Sequence, residues 1–289
     1  MSKLRDTPKI PNLIYDVGLN LGQDTVFYLK KGYKVIAFEA DPENVAFCRK
    51  RFAKDINDGS LTIVEGAISE INSNRTSQGT TQFYRNDDHC LWGSTSSDFA
   101  ARNTIYGTAM ETIDVKVVDF AAEIEKYGVP QFLKADIVGS EVICLRSMLG
   151  FANKPDYLSI RSEKVVFRQL ENEFDLLEQL GYHEFKAMKQ DFEKTVASLP
   201  SNNDAKFHEF EDGSSGPIGE ETTGKWKTRD AVLKEYKRVF VKYWLFGDYS
   251  YLVQTASGRR FIYRMERLLG RSVPGWYDTH AKHGSVVAK

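Results

Sequence analysis

A glycine-rich turn beside an acidic residue is the segment of this sequence in which chemistry is easiest to predict. An apolar stretch ends near Asp16, and Gly18, Asn20 and Gly22 follow it. Glycines let the backbone turn sharply and let a ligand approach closely, and a helix that begins after such a turn offers free N–H groups. Asp24 lies at the predicted start of that helix. The pattern predicts a ligand-binding turn, although a purely structural turn would show the same glycines.

A second acid sharpens this prediction. Glu39 ends the next apolar stretch, 17 positions after Gly22. An acid at this point accepts hydrogen bonds from the ribose hydroxyls of an adenosine-containing ligand, either a dinucleotide or S-adenosylmethionine. A pyrophosphate favours the spacing G-x-G-x-x-G and would be repelled by Asp16, whereas the amino group of a methionine moiety would be attracted. The residues favour S-adenosylmethionine, with Glu39 at its ribose, Ala67 near its adenine and Ala40 as a further cofactor-binding residue.

Alternating strands and helices must position these residues. Six apolar stretches read as buried strands, and amphipathic helices separate most of them. This rhythm is typical of an α/β fold in which a doubly wound, mostly parallel sheet carries helices on both faces. Ligands of such folds bind at the carboxyl ends of the strands. Two polar segments, 72–111 and about 191–275, interrupt the alternation.

The chain is predicted to contain three segments. Residues 1–190 form the S-adenosylmethionine-binding core, 191–275 form a C-terminal insertion, and 276–289 form a terminal strand and tail of the core. The insertion contains a Gly/Ser-rich loop, which would serve as a lid or as a surface connection, and an aromatic helical stretch. That stretch is expected to pack against the sheet or against a subunit partner, which leaves a homo-oligomer open.

The composition limits the classes of partner. The chain has 39 basic and 40 acidic residues, a net charge of -1, which points away from nucleic acid and from an anionic membrane. It contains no apolar stretch typical of an integral membrane segment and no signal-peptide pattern. Its three scattered cysteines favour a reducing compartment, so a cytoplasmic protein is expected. They lack metal-ligand spacing with the histidines, and no metal is expected.

Several segments together resemble the FkbM family of S-adenosylmethionine-dependent methyltransferases. They read YDVGLNLGQDT, AFEADPEN, FLKADIVGSE, PDYLSI and FEDGSSGPIGEE, and the terminal GWYDTHA resembles longer bacterial members. The resemblance implies the Rossmann-like sheet of class I methyltransferases and S-adenosylmethionine as the cofactor. It also implies methyl transfer to a small-molecule or glycan acceptor, usually to a hydroxyl oxygen of a sugar or other natural product.

Two positions depart from the family pattern. The fourth-strand motif usually resembles K-I-D-I-E-G, but Val138 stands where the glutamate is expected. The fifth strand commonly ends in S-I-E, but here it ends in Arg161. These changes support a second hypothesis, a catalytically degenerate partner or regulatory protein that binds S-adenosylmethionine. A nicotinamide oxidoreductase is a third hypothesis, disfavoured by Asp16 and by the incomplete glycine pattern.

Methyl transfer to a hydroxyl needs alignment and a base, because the cofactor itself brings the leaving group. Asp136, at the carboxyl end of the fourth strand, is the predicted base. Lys134 would hydrogen-bond Asp136 or steady the developing oxyanion, unless the two form a structural pair. His89, in a polar loop, is an alternative base. The residues predicted to bind the acceptor are Trp92, Ser94 and Arg161.

Overall fold

A computed structural model of the chain describes residues 3–69, 76–77, 79–89, 92–105, 107–190, 196–198, 207–211, 213–270 and 272–286. The strands are β1 (Lys9–Val17), β2 (Lys34–Glu39), β3 (Leu61–Glu65), β4 (Ala67–Ile68), β5 (Thr76–Ser77), β6 (Thr80–Asn86), β7 (Met110–Val118), β8 (Val129–Ala135), β9 (Tyr157–Arg161), β10 (Tyr182–Lys189), β11 (Val196–Ser198), β12 (Phe207–Glu209) and β13 (Tyr277–His283). The helices are α1 (Gln23–Lys30), α2 (Pro42–Arg51), α3 (Ala53–Asn57), α4 (Ser97–Ile105), α5 (Phe120–Tyr127), α6 (Glu141–Met148), α7 (Phe167–Gln179), α8 (Arg229–Phe246), α9 (Tyr251–Gln254) and α10 (Ala256–Leu269). In this part of the chain, every helix is too short or too polar to cross a bilayer.

The central sheet has seven strands in the order β10-β13-β9-β8-β1-β2-β3. Strands β1, β2, β3, β8 and β9 run parallel to one another. Strand β13 is antiparallel to both of its neighbours, β9 and β10. Its first residues therefore lie at the same edge of the sheet as the carboxyl ends of β8 and β9. This edge is where an α/β sheet binds ligands.

The sheet is covered on both faces because its strands are apolar at successive positions. In β1, Leu13, Tyr15 and Val17 belong to the core cluster that includes residues of α5, α6, α7 and α8. Ile14, which points to the opposite face, packs in the cluster that contains Phe27 of α1 and Cys48 of α2. Strands buried on both faces read as continuous apolar runs, as seen here. The predicted doubly wound, mostly parallel α/β fold is confirmed.

A second sheet stands beside the first. It has four strands in the order β4-β7-β6-β5, and it occupies much of the segment 72–111, which was expected only to interrupt the alternation. The loop between β6 and α4 is fastened to this sheet by two backbone hydrogen bonds between Tyr84 and Ser94, of 2.8 and 3.1 Å. The second sheet thus fixes the position of a loop that carries two of the predicted acceptor-binding residues.

Candidate active site

A cavity of about 780 Å³ lies at the carboxyl edge of the central sheet. Its wall has two parts. The β1–β2 half consists of the glycine turn, Glu39 and the Gly/Ser-rich loop 213–215. The β9–β13 half consists of Asp136, Arg161 and Asp278, with aromatic side chains from α8, the β6–α4 loop and the segment before β13. Helices α9 and α10 contribute further side chains to the cavity wall.

The glycine turn is held by close contacts as well as by its backbone angles. Gly18, Asn20 and Gly22 have φ values of 87°, 53° and 84°, which favour glycine. A Cβ atom on Gly18 would lie 2.2 Å from the carbonyl oxygen of Asp136, and one on Gly22 would lie 2.3 Å from the ring of Phe52. Gly18 and Asn20 line the cavity, whereas Gly22 does not. A side chain at position 22 would collide with Phe52, so the glycine is explained by packing.

Asp16 does not reach the cavity, contrary to the sequence-based expectation. It is 0% exposed, and both of its carboxylate oxygens accept hydrogen bonds within the protein. Thr25 Oγ1 donates to one oxygen at 2.7 Å, and Lys134 Nζ donates to the other at 3.0 Å. The register of the sheet explains the second bond, because it places Asp16 of β1 directly beside Lys134 of β8. Asp16 therefore anchors Lys134, and it is not among the residues that line the cavity.

Lys134 joins three groups of the glycine turn. Besides Asp16, its Nζ contacts Asp24 Oδ2 at 3.1 Å and donates to the carbonyl oxygen of Gly18 at 3.0 Å. Burial lowers the pKa of Lys134, but Asp16 and Asp24 outweigh this and raise it above its ordinary value. A hydrogen bond from Lys134 to Asp136, which was one sequence-based expectation, is replaced by these contacts. The cation binds the turn to β8, and Lys134 also lines the cavity.

Asp24 and the Gly/Ser-rich loop close one side of the β1–β2 half. The backbone N–H of Ser215 donates to Asp24 Oδ1 at 2.7 Å. Burial raises the pKa of Asp24 to about 6, and neighbouring Asp16 adds to this increase while Lys134 opposes it. Ser214 and Ser215 are both buried and line the cavity. The loop is therefore part of the site wall at these residues and not a surface connection.

Glu39 lies where the sequence predicted a ribose-binding acid. Its two carboxylate oxygens accept hydrogen bonds from the backbone N–H groups of Asn20, at 2.6 Å, and Asp41, at 2.8 Å. Burial raises its pKa to about 7 despite these bonds. Ala40 and Ala67, predicted to lie near the same ligand, line the cavity together with Glu39.

Three charged residues lie side by side in the β9–β13 half. Asp136 follows the last residue of β8, Arg161 ends β9, and Asp278 is directly opposite Arg161 in β13. Arg161 Nη1 donates to Asp136 Oδ1 at 3.2 Å, and Gln190 donates to Asp278 Oδ2. The cation between two acids explains how this site accommodates an arginine where the family pattern has an acid.

The two carboxyl groups differ in proton affinity. Burial opposes ionisation of Asp136, but Arg161 and Lys134 outweigh burial and lower the pKa of Asp136. Asp278 is buried more deeply in the sheet, and burial together with the nearby charge of Asp136 raises its pKa well above the usual range. Paired acids whose pKa values are driven apart are a recurring feature of acid–base sites. Sequence analysis missed Asp278, although it predicted the terminal strand that carries it.

Aromatic side chains surround this pair of acids. The Arg161 guanidinium lies 5.0 Å from the centre of the Trp276 ring. Trp92 lines the cavity, and the Arg102 guanidinium lies 5.0 Å from its ring centre. Tyr243 of α8 lines the same region. Trp276 and Tyr243 were not predicted as site residues, because only the three-dimensional fold brings them beside β9.

The remaining predicted residues divide between cavity and surface. Ser94 lines the cavity, and its Oγ donates to the carbonyl oxygen of Val138 at 2.9 Å. His89 is exposed and does not line the cavity, and its ring packs against Trp92 with 4.4 Å between the ring centres. The prediction of His89 as a base is therefore replaced by a packing role. In the described residues, no group of three or more His, Cys, Asp or Glu side chains could hold a metal ion.

A family comparison now identifies the chain. The model of the methyltransferase FkbM domain matches residues 16–190. This chain belongs to the FkbM-domain methyltransferases. It is accordingly an S-adenosylmethionine-dependent methyltransferase by family, with S-adenosylmethionine as its cofactor. The matched range extends from the last two residues of β1 to the residue after β10, and it includes Glu39, Lys134, Asp136 and Arg161. The family resemblance seen in the sequence is confirmed.

Solved structures similar to this chain include several methyltransferases. The FkbM methyltransferase from Methylobacillus flagellatus KT is 15% identical over 68% of this chain and 40% of that chain, with a TM-score of 0.36. A SAM-dependent methyltransferase from Archaeoglobus fulgidus is 11% identical over 93% of this chain and 85% of that chain, with a TM-score of 0.36. The precorrin-6y C5,15-methyltransferase from Geobacter metallireducens GS-15 is 14% identical over 68% and 74% of the two chains, with a TM-score of 0.33. No curated protein sequence matches the chain significantly.

Proposed function

We propose that this methyltransferase transfers the methyl group to a hydroxyl oxygen of a sugar, a glycan or another polyhydroxylated natural product. The observation that carries the proposal is the pair of acids, Asp136 and Asp278, on either side of Arg161 in the cavity. Carboxylates accept hydrogen bonds from hydroxyl groups, and one of them can accept the proton that the attacking oxygen must lose. Trp92, Trp276 and Tyr243 offer flat apolar surfaces against which a ring can pack.

The residues of the β1–β2 half fit the cofactor. Asn20 Oδ1 and Ser214 Oγ are buried in the cavity wall, and among the described residues neither has a hydrogen-bond partner. Such buried polar atoms are costly unless a ligand or water satisfies them. We assign them to the methionine moiety, and Glu39 to the ribose, with Ala40 and Ala67 beside the adenosine. When bound, S-adenosylmethionine supplies an activated methyl group on a positively charged sulfur.

Asp278 is assigned as the proton acceptor. An effective base has a pKa near the working pH, since a weakly basic carboxylate gains little from taking a proton. The Arg161 contact lowers the pKa of Asp136, whereas burial and the charge of Asp136 raise that of Asp278. Asp136, which the sequence predicts to be the base, is assigned instead to accept a hydrogen bond from the acceptor hydroxyl, with Arg161 orienting it. Lys134 acts as a positioning residue that holds the glycine turn against β8.

We assign a different part of the reaction to each of the three predicted segments. Residues 1–190 bind the cofactor, and 276–289 return to the sheet as β13 and supply Asp278. Residues 191–275 supply most of the wall around the acceptor, which is supported by the positions of Tyr243, Phe246 and Val253 in the cavity lining. We also propose a cytoplasmic location, because the two cysteines in the described residues, Cys48 and Cys144, have free buried thiols.

The test begins with calorimetric titration of the purified chain with S-adenosylmethionine and, separately, with S-adenosylhomocysteine. Saturable binding that is weakened by Glu39→Ala and retained by the exposed-site control Asp114→Ala is expected. The protein is then incubated with isotope-labelled S-adenosylmethionine and a panel of sugars, glycans, phenols and amines. Label on a hydroxyl oxygen of a sugar or polyol supports the proposal, whereas label on nitrogen, or on phenols alone, contradicts it.

A second candidate function is a non-catalytic binding protein. It is favoured by the Arg161–Asp136 contact, which neutralises an acid in the cavity, and by apolar Val138 in the cavity wall. Cofactor binding without methylation of any acceptor in the panel, by the wild type and by Val138→Glu/Arg161→Glu, would favour it. Activity that appears only in the double variant would show that the natural chain has lost catalysis.

A further inference from the structure

Helices α8, α9 and α10 expose an unusual number of large apolar side chains. Of the fourteen large hydrophobic residues exposed in the described part of the chain, nine lie between residues 241 and 269. Trp244 is 77% exposed, Tyr251 is 82% exposed and Leu268 is 87% exposed. Single exposed apolar residues are ordinary, but a concentration of them on one surface indicates an interaction site. We call the exposed side of these three helices the α8–α10 face.

The same helices carry a strong positive charge. Residues 229–269 contain nine lysines and arginines but only four acidic residues, a net charge of +5. Since the whole chain has a net charge of -1, the remaining residues carry -6. The near-neutral total therefore conceals a basic C-terminal region and an acidic remainder. A basic surface attracts an anionic partner through its summed field.

Helix α10 combines both properties on one side. Arg260, Arg264 and Arg267 recur at helical spacing on the side opposite the buried Ile262, and the exposed Phe261 and Leu268 lie beside them. A side with arginines alone would be an ordinary solvated surface. An apolar residue pair beside a row of arginines is instead typical of helices that lie in the headgroup layer of a membrane, where arginine heads reach phosphates and apolar side chains enter the acyl boundary.

We propose that the α8–α10 face docks onto an anionic lipid bilayer. Charge complementarity identifies this partner, since a bilayer surface presents phosphates next to an apolar layer and the face presents arginines next to exposed apolar residues. Tryptophan and tyrosine, present at 244, 249 and 251, are the residues enriched at membrane–water interfaces. A two-fold dimer through this face is disfavoured, because an isologous contact would bring the arginines of α10 against those of its copy.

Docking would place the active site at the membrane surface. Ile262 and Tyr263 of α10 and Val253 of α9 line the cavity, so the face and the cavity wall share the same two helices. An acceptor could then be reached from the headgroup layer without the enzyme crossing the bilayer. This inference goes beyond the proposed function, because binding to vesicles can be measured without any acceptor and without methyl transfer.

The test is co-sedimentation of the full chain with large vesicles, one set of phosphatidylcholine alone and one of equimolar phosphatidylcholine and phosphatidylserine. Binding to the anionic set that weakens as salt rises is expected. The variant Arg260→Ala/Arg264→Ala/Arg267→Ala should lower the partition coefficient on the order of 100-fold. Phe261→Ser/Leu268→Ser should lower it too, since apolar burial contributes independently of charge. Lys34→Ala/Lys50→Ala/Lys116→Ala, which removes three exposed cations elsewhere, should bind like the wild type.

Three results would overturn the inference. The first is sedimentation no greater with anionic vesicles than without vesicles. The second is binding that the control variant loses as fully as the arginine variant, which would indicate non-specific attraction. The third is a dimer in analytical ultracentrifugation that the Phe261→Ser/Leu268→Ser variant abolishes, which would assign the face to a second copy of the chain. Titration with S-adenosylhomocysteine checks that each variant remains folded, because none of the substituted residues lines the cavity.

Discussion

The two halves of the cavity are built in different ways. The β1–β2 half draws most of its polar groups from the continuous segment 16–41, which turns back on itself so that Asn20 and Asp41 both donate to Glu39. The β9–β13 half is assembled from Asp136, Arg161 and Asp278, which lie far apart in the sequence. The first half depends on local turn geometry, whereas the second depends on the order of strands in the sheet. Substitutions should therefore separate cofactor binding from acceptor chemistry.

The substitution Asp278→Asn is expected to separate methyl transfer from cofactor binding most clearly. An amide cannot take the acceptor proton, so turnover of the acceptor found in the screen should fall about 100- to 10,000-fold. The affinity for S-adenosylhomocysteine should stay unchanged, because Asp278 lies outside the β1–β2 half. The measurement is single-turnover methylation together with calorimetric titration. The wild-type rate should rise with pH as the Asp136–Asp278 pair, in which the Asp278 pKa is raised, loses its proton.

Asp114→Asn is the matched control, since Asp114 is exposed on β7 and should leave both quantities unchanged. A variant Asp278→Asn that keeps its rate would remove Asp278 from the chemistry and return the role of base to Asp136. Equal losses of rate and cofactor affinity would mean that the two halves do not act separately.

Lys134→Met should show that the buried lysine of β8 holds the glycine turn of the β1–β2 half in place. The substitution leaves Asp16 and Asp24 buried without their cation, and breaking a buried ion pair in this way costs about 3–5 kcal/mol. The free energy of unfolding from urea titration should fall by that amount. Cofactor affinity should fall as well, because the glycine turn loses the bond from Lys134 to the Gly18 carbonyl oxygen.

The control for this prediction is Lys50→Met, which removes an exposed lysine of α2. A second variant, Asp16→Asn/Asp24→Asn/Lys134→Met, removes the whole charged group and should recover part of the lost stability. If Lys134→Met unfolds at the same urea concentration as Lys50→Met, the buried ion cluster does not hold the turn.

The two halves also differ in how far a sequence can predict them. The glycine turn, Glu39 and the doubly wound sheet were predictable, because apolar runs, glycine spacing and an acid at a strand end are local patterns. The contact between Asp16 and Lys134 was not predictable, since it depends on the register between β1 and β8. Asp278 was missed because a strand that inserts antiparallel between β9 and β10 presents its first residues, not its last, to the site.

The net charge of the whole chain does not reveal the charge of the α8–α10 face, for a related reason. A whole-chain net charge of -1 argued against a membrane partner, although the charge is distributed as +5 and -6. An average over the chain carries no information about which residues share a surface. The exposed Leu268 was equally invisible, because the sequence does not show which side of an amphipathic helix remains uncovered.

A pH experiment tests the contribution of Glu39 in the β1–β2 half. Burial raises the pKa of Glu39 from 4.5 to about 7 in the folded chain. The folded state therefore holds this proton more tightly than the unfolded chain does. The protonated Glu39 thus makes its full contribution to the free energy of unfolding below about pH 4.5, and this contribution is lost as pH rises through about 7. This shift corresponds to about 3 kcal/mol of unfolding free energy.

Urea titrations of the ligand-free chain at pH 5 and at pH 7.5 measure that loss. Glu39→Gln, which does not titrate, should lose less stability than the wild type between the two pH values. The variant should still lose some stability as pH rises, because the pKa values of Asp24 and Asp278 are also raised. Identical slopes for the variant and the wild type would show that Glu39 is ionised without cost.

The smallest expected effect comes from a pair of glycines with matched backbone angles. Gly18 has a φ of 87° and Gly32 a φ of 83°, so alanine is strained by its backbone at both. A Cβ atom at Gly32 meets no atom within 4 Å, whereas one at Gly18 would lie 2.2 Å from the Asp136 carbonyl oxygen. Gly18→Ala should therefore cost about 1–3 kcal/mol more unfolding free energy than Gly32→Ala, through overpacking alone. Because that contact joins the turn of the β1–β2 half to the first residue of the β9–β13 half, cofactor affinity and methylation rate should both fall in Gly18→Ala. Equal stability of the two variants would mean that the turn can move away from β8, and that the halves are joined by Lys134 alone.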